Sequence, residues 1–165
     1  MKKYMPDVFI IIILAFIVQW ALIHYTPDIV FRIALGRVNG QHNVWIHSGH
    51  TDAKMRRVVM PNPDFIYSAL FYDVSEKELT VTGVLPDSSY GSIAFYDERC
   101  QPYYVYNNLD SQRHGNFTLK LSNEIDSASK IHVKTNSGVI ICRYLLKGDS
   151  AYQRMRAYQS QLSVK

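Results

Sequence analysis

Two cysteines, Cys100 and Cys142, are all the sequence contains, and no CxxC or Cys/His zinc spacing accompanies them. A cysteine-based zinc module is therefore excluded. Gly-x-Ser-x-Gly, a phosphate loop and a dinucleotide fingerprint are also missing, so nucleophile-elbow hydrolysis and nucleotide binding have no motif to stand on. Charge is sparse, at 19% of residues, and although the net charge is +4 no long basic run exists. The densest basic groups are Arg56-Arg57 and the stretch from Lys147 to Arg156. No nucleic-acid partner is expected from so scattered a pattern. Internal repeats and low-complexity tracts are absent, and a hydrophobic fraction of 47% rules out a disordered chain.

What is present starts with a long apolar run. Val8 to Ile23 reads VFIIIILAFIVQWALI, without charge and with Gln19 as its one polar residue. With its flanks it reaches about 20 residues, enough to cross a hydrocarbon core. Lys2 and Lys3 precede it, and Trp20 and Tyr25 lie toward its far end, where interfacial aromatics sit. Leu22 to Pro27 offers no small residues for a signal peptidase. Residues 1–25 thus read as an uncleaved transmembrane signal anchor. The short basic tail favours a bacterial inner-membrane protein with its soluble part periplasmic or extracellular. Thr26-Pro27-Asp28 resembles a fresh helix start, and Ile29, Val30, Ile33 and Ala34 follow at helical spacing until Gly36. Residues 26–42 are accordingly expected to form a juxtamembrane helix and linker that lifts the domain off the bilayer.

Beyond Phe65 the hydrophobic period becomes two. Strands are predicted at Phe65–Val74, Leu79–Leu85, Tyr90–Asp97, Tyr103–Asn107, Phe117–Leu121, Ile131–Val133 and Gly138–Leu146, with Asn136-Ser137-Gly138 as a hairpin turn. Twelve tyrosines reinforce the β reading. The spacing of Tyr152, Met155, Tyr158 and Leu162 predicts an amphipathic C-terminal helix after Gly148-Asp149-Ser150. The fold expected for residues 43–165 is mainly β, an antiparallel sandwich or barrel of about seven strands.

Several segments carry a family pattern. Asn43-Val44-Trp45-Ile46-His47 is followed by Arg57-Val58-Val59-Met60-Pro61-Asn62-Pro63-Asp64-Phe65-Ile66-Tyr67-Ser68, then Asp73, Pro86, Tyr96-Asp97 and Asn107. Together they resemble the bacterial domain of unknown function 1254 family, whose hallmark is Pro-Asn-x-Asp-Thr-x-Tyr-Ser, and Arg143 resembles an Arg ending a late apolar strand there. The resemblance spans about residues 43 to 160. Phe65 stands where the family usually has Thr, so any role of that hydroxyl is lost here. Many members carry a second β domain, domain of unknown function 1214, so the resemblance implies a partner domain supplied in trans.

Candidate sites have competing readings. Asn62, Asp64, Tyr67 and Ser68 form either a proline-fixed turn entering a strand or a ligand pocket with Asp64 as base or cation ligand. Strand alternation separates Tyr67 from Ser68. Arg143 needs a carboxylate, which Asp64, Asp73 or Asp97 would supply as a structural pair or as part of an anion clamp. His42, His47, His50 and Asp52 are either solvated loop residues or, as His47, His50 and Asp52, a weak metal set. Cys100 and Cys142 either form a disulfide or stay separate, Cys142 filling a core strand. Tyr90, Tyr96, Tyr103, Tyr104 and Tyr106 are sandwich core or a groove, and simple alternation puts Tyr103 and Tyr104 on opposite faces. No cofactor is identified. Two functions follow: a membrane-tethered binding or assembly module acting with a second β domain, or an enzyme using Asp64, His47 and Arg143 around an intersheet pocket for a small or carbohydrate-like ligand.

Overall fold

A computed structural model describes residues 5–50, 61–109, 115–123, 130–148 and 150–165. The first element, α1, is one unbroken 32-residue helix, Met5–Gly36, with Pro27 inside it. The expected stop and restart at Thr26-Pro27 does not occur. Proline removes one helical hydrogen bond, whereas restarting a helix would require a second unfavourable nucleation. The apolar part is uncovered, with none of it buried. Phe9 and Phe16 are 64% and 71% exposed.

Nine strands are found among the described residues. They are β1 (Trp45–His47), β2 (Phe65–Asp73), β3 (Leu79–Leu85), β4 (Gly91–Asp97), β5 (Pro102–Asn107), β6 (Gly115–Ser122), β7 (Lys130–His132), β8 (Ser137–Leu145) and β9 (Ser163–Val164). They form a five-stranded sheet in the order β1-β2-β8-β4-β5 and a four-stranded sheet in the order β7-β6-β3-β9. The mainly-β fold with a helix at either end is as expected. Two short edge strands, β1 and β9, carried no two-residue period long enough to detect.

Two details of topology differ from the sequence reading. β7 runs parallel to β6, so the second sheet is mixed. Asn136-Ser137-Gly138 is no hairpin, because β7 and β8 belong to different sheets and the chain crosses between them there. Gly138 is instead a strand residue, paired with Tyr72 on one side and Asp97 on the other. A Cβ at Gly138 would collide with the Tyr96 carbonyl and with the Tyr72 ring.

Alternation explains the core. Ile66, Leu70 and Tyr72 of β2, Ile93 and Phe95 of β4, and Ile140, Cys142 and Tyr144 of β8 point inward. They meet Leu79, Val81 and Leu85 of β3 and Phe117 and Leu121 of β6. The second helix, α2 (Ala151–Gln159), packs Met155 against this core. It ends earlier than the predicted face, and Leu162 reaches the core from the following turn, lying over Gly83.

The outer face of the five-stranded sheet holds a second cluster. Phe31 and Ala34 of α1 are buried on Phe71 of β2, with Leu35, Val38, Ile46 and Val139 packed around them. The Phe31 and Phe71 rings meet edge to face at 5.7 Å. Of Ile29, Val30, Ile33 and Ala34, the residues at helical spacing, only Ala34 is buried and the other three are exposed. Near a membrane both sides of a helix can be apolar, so apolarity alone did not identify the docked one.

Candidate functional site

The Asn62–Tyr67 segment builds a turn. The Asp64 N–H donates to Asn62 Oδ1 at 2.9 Å and the Asn62 N–H donates to the Tyr67 hydroxyl at 3.1 Å. The Phe65 N–H closes back on the Asn62 carbonyl. These are the local bonds by which Asn and Asp shape a chain entering a strand. The Asp64 carboxyl is exposed. Tyr67 shares a face with Phe65, whose ring also meets Tyr90, while Ser68 points inward.

Tyr67 also anchors neighbouring elements through its backbone. Its N–H donates to Ser48 Oγ, and its carbonyl accepts from the Ser48 N–H and from Gln159 Nε2, each at 2.8 Å. Gln159 is 1% exposed and accepts from Arg156 with its other amide atom. This latch of α2 onto β2 escaped sequence reading, because a glutamine on a helix gives no hint of burial. Asn108 escaped likewise: it is buried, accepts from the Gly91 N–H, and donates to the Pro86 and Ser89 carbonyls. Asn43 cradles β2 from the side, bonding both the N–H and the carbonyl of Asp73.

Among the described residues no carboxylate pairs with Arg143. Its Nε donates to Ser92 Oγ at 2.9 Å, and it stands in a row with Tyr67 and Ser92 across three strands. Half-burial leaves the rest of the guanidinium hydrated, so an ion pair is not required. Asp97 has another task. Its Oδ1 accepts from the Arg99 and Gln101 N–H groups at 3.0 and 2.8 Å, fixing the β4–β5 turn in which Cys100 has φ +59°. Asp73 accepts from the Ser75 hydroxyl and N–H, which hold its carboxyl below the usual carboxylate range.

The histidines separate. His47 Nδ1 lies 2.9 Å from Ser68 Oγ, and burial together with nearby Arg156 lowers its pKa. The His50 ring meets that of Tyr152 at 5.4 Å, tilted by 43°. Asp52, the third member of the proposed metal set, and the Arg57–Met60 part of the family pattern lie outside the described residues. Among the described residues no group of three possible ligands gathers. The disulfide alternative is corrected: both cysteines are free, Cys100 exposed and Cys142 buried. Burial pushes the Cys142 thiol up to about 12. Cys100 lies in the β4–β5 turn, whereas Cys142 lies in the core on β8, paired with Ile93 of β4.

The tyrosines are redistributed by a bulge. Register shifts between Phe95 and Tyr96, so Phe95 pairs with Tyr104 and Tyr96 with Pro102, leaving Tyr103 as the extra residue. Both Tyr103 and Tyr104 therefore contact Phe95, at 6.2 and 5.5 Å, instead of facing opposite ways. The Tyr103 hydroxyl donates to that of Tyr72 at 3.1 Å. Burial raises both phenol pKa values. Tyr103 and Tyr104 line an open cleft of about 320 Å³ with Leu119, Lys120, Lys130, Ile131 and His132. It sits where the edge strands β5 and β7 of the two sheets meet. Asp64, His47 and Arg143 lie respectively at an exposed turn, on the inner edge and on the outer sheet face, so they do not surround this cleft or one another.

A family model described as "Protein of unknown function (DUF1254)" matches residues 42–165. No curated protein matches the sequence. Among solved structures, the VPA0106 protein of Vibrio parahaemolyticus is similar, with a TM-score of 0.65 at 14% identity over 88% of this chain and 36% of its own. An uncharacterised protein of Burkholderia cenocepacia is similar with a TM-score of 0.52 at 11% identity, over 77% of this chain and 35% of its own. At these identities the likeness concerns the fold. The chain spans about a third of the length of either protein.

Proposed function

The chain belongs to the DUF1254 family of proteins of unknown function, and from that premise we propose that it is a membrane-tethered binding or assembly module of the bacterial cell envelope. The observation that carries this reading is α1. Its Asp7–Gly36 stretch is long and apolar enough to span a bilayer, and its last turns are seated on the domain by Phe31 and Ala34. In this reading the helix is a stay that holds the sandwich in one pose beside an inner membrane, with the domain on the periplasmic or extracellular side. The dispersal of Asp64, His47 and Arg143 removes the support for an enzyme built on them.

The module works with a second β domain provided by another chain. About two-thirds of each similar solved structure lies beyond the part that this chain covers, so in those proteins the shared fold is joined to further chain. Tethering both partners in one membrane raises their effective concentration without new contacts.

The tether is tested by alkaline carbonate washing of membranes from expressing cells, followed by an impermeant maleimide. Cys100 is the exposed thiol and Cys142 is buried, so labelling reports Cys100. Retention in the pellet, release by detergent and labelling from the periplasmic side are expected. Release by carbonate ends the anchor, and labelling only in inverted vesicles reverses the orientation. For the partner, cross-linking in intact membranes and detergent purification should recover a second β protein; recovery of this chain alone counts against it.

A further inference from the structure

The direction in which α1 crosses the sheet places one edge of the sandwich next to the bilayer. Val139 of β8, on the β4–β5 side of β2, packs against the helix cluster, and Asp28, earlier on the helix, bears electrostatically on Cys100 in the β4–β5 turn. One turn later Phe31 lies on Phe71 of β2, and the cluster ends with Leu35, Val38 and Ile46 of β1. In the sheet order β1-β2-β8-β4-β5, the helix therefore travels from the β5 side toward β1. From Asp28 to Gly36, where α1 ends, the rise is about 12 Å. Three strand spacings, the interval from β4 to β1, total about 14 Å. The two agree with a helix lying across the strands, so its uncovered N-terminal part leaves past the β5 edge.

Distances along the axis are short. Val8 to Tyr25 spans about 27 Å, close to the hydrocarbon thickness. Asp28 is then about 4.5 Å beyond, inside the headgroup layer. Ile29, Val30 and Ile33 remain exposed on α1 beyond that point, with the charged Asp28 and Arg32 among them, as suits a helix leaving the headgroup layer.

The edge facing the bilayer has matching chemistry. Outside α1, the exposed large hydrophobic residues among those described are Val44, Val105 and Leu109, and two of the three lie on or just after β5. Beside them is the cleft with Tyr103 and Tyr104 between the sheets and Lys120, Lys130 and His132 on its rim. Glu78 pairs with Lys130 and offsets one positive charge. Aromatic rings and cations near exposed aliphatics are the composition of a surface that meets lipid headgroups.

We propose that the β5–β7 edge rests on the membrane surface and that its cleft takes the anionic phosphate headgroup of a membrane lipid. This rests on α1 spanning the membrane.

The full chain is reconstituted in nanodiscs of phosphatidylcholine, alone or mixed with phosphatidylglycerol, some lipids carrying a headgroup nitroxide. A fluorophore is placed at Val105→Cys or, on the opposite edge, at Gln161→Cys, both in a Cys100→Asn background because Asn tolerates the left-handed conformation. Quenching severalfold stronger at position 105 than at 161, increased by phosphatidylglycerol, is expected. Lys120→Glu with His132→Glu should abolish the phosphatidylglycerol increase while leaving the chain in the disc. Failure to enter nanodiscs refutes the membrane reading itself. Entry with equal quenching at 105 and 161 overturns the inference alone, as does shielding of position 105 by a cross-linkable protein in native membranes. Quenching at 105 indifferent to phosphatidylglycerol overturns the headgroup site.

Discussion

Replacing Phe31 with alanine should unhook the domain from its tether without unfolding it. Phe31 is 7% exposed and its ring meets Phe71, which is 5% exposed, outside the sandwich core. Burying a phenylalanine contributes about 1.5–3 kcal/mol, and an edge-to-face partner adds about 0.5–1.5 kcal/mol. Alanine retains little of either, so docking should weaken by about 3 kcal/mol, roughly a hundredfold in the docked-to-undocked ratio. The inner core contains neither ring, so domain stability should change by less than about 0.5 kcal/mol. Spin labels on native Cys100 and on Arg32→Cys, both exposed positions, report the two effects in nanodiscs by their distance distribution. A narrow distribution is expected for the parent and a broad one for Phe31→Ala, with an unchanged urea midpoint. An equally narrow distribution in the variant would refute the docking argument, and a large fall in midpoint would show that Phe31 belongs to the folding core.

Other expectations concern the domain. Asp97→Ala removes an acceptor of two backbone N–H groups in the β4–β5 turn, and should cost about 1.5–3 kcal/mol; Asp97→Asn keeps one oxygen and should lose less, and equal denaturation midpoints for the two variants would contradict the assigned role. Gly138→Ala drives a methyl into Tyr72 and the Tyr96 carbonyl, costing about 1–3 kcal/mol, and thermal melting no lower than the parent's would count against that close approach. His47 has a pKa below its ordinary 6.5 because burial and Arg156 disfavour the imidazolium. The unfolded chain then binds that proton more readily than the folded one, so stability is lost as pH falls through about 6.5 and below. His47→Gln should flatten this part of the stability–pH curve, and identical curves for the two proteins would dismiss it.

Much of the fold was legible because strands advertise themselves by alternation. Leu79 to Leu85 is bounded correctly, and β2, β4 and β8 within a residue or so: β3 and β8 bury every second side chain, β2 nearly so, and β4 is an apolar run buried on both faces. β1 and β9, at three and two residues, are too short for a period. The candidate site was less legible. Asn62, Asp64 and Asp97 had local signatures and turned out to make local bonds. Arg143 found Ser92, a partner 51 residues away that no spacing rule identifies.

The sequence by itself determined the apolar helix, the family, the β class and the turn chemistry of Pro61 to Asp64, because each depends on residues near one another along the chain. Tertiary structure alone decided what packs on what. A bulge of one residue turned Tyr103 and Tyr104 to the same ring, and a crossing between sheets made a hairpin-like Asn-Ser-Gly into a bridge. It also selected Phe31 and Ala34, over Ile29 and Ile33, to meet the sheet. All of these apolar residues satisfy the same local preference; only the shape of the surface opposite distinguishes them.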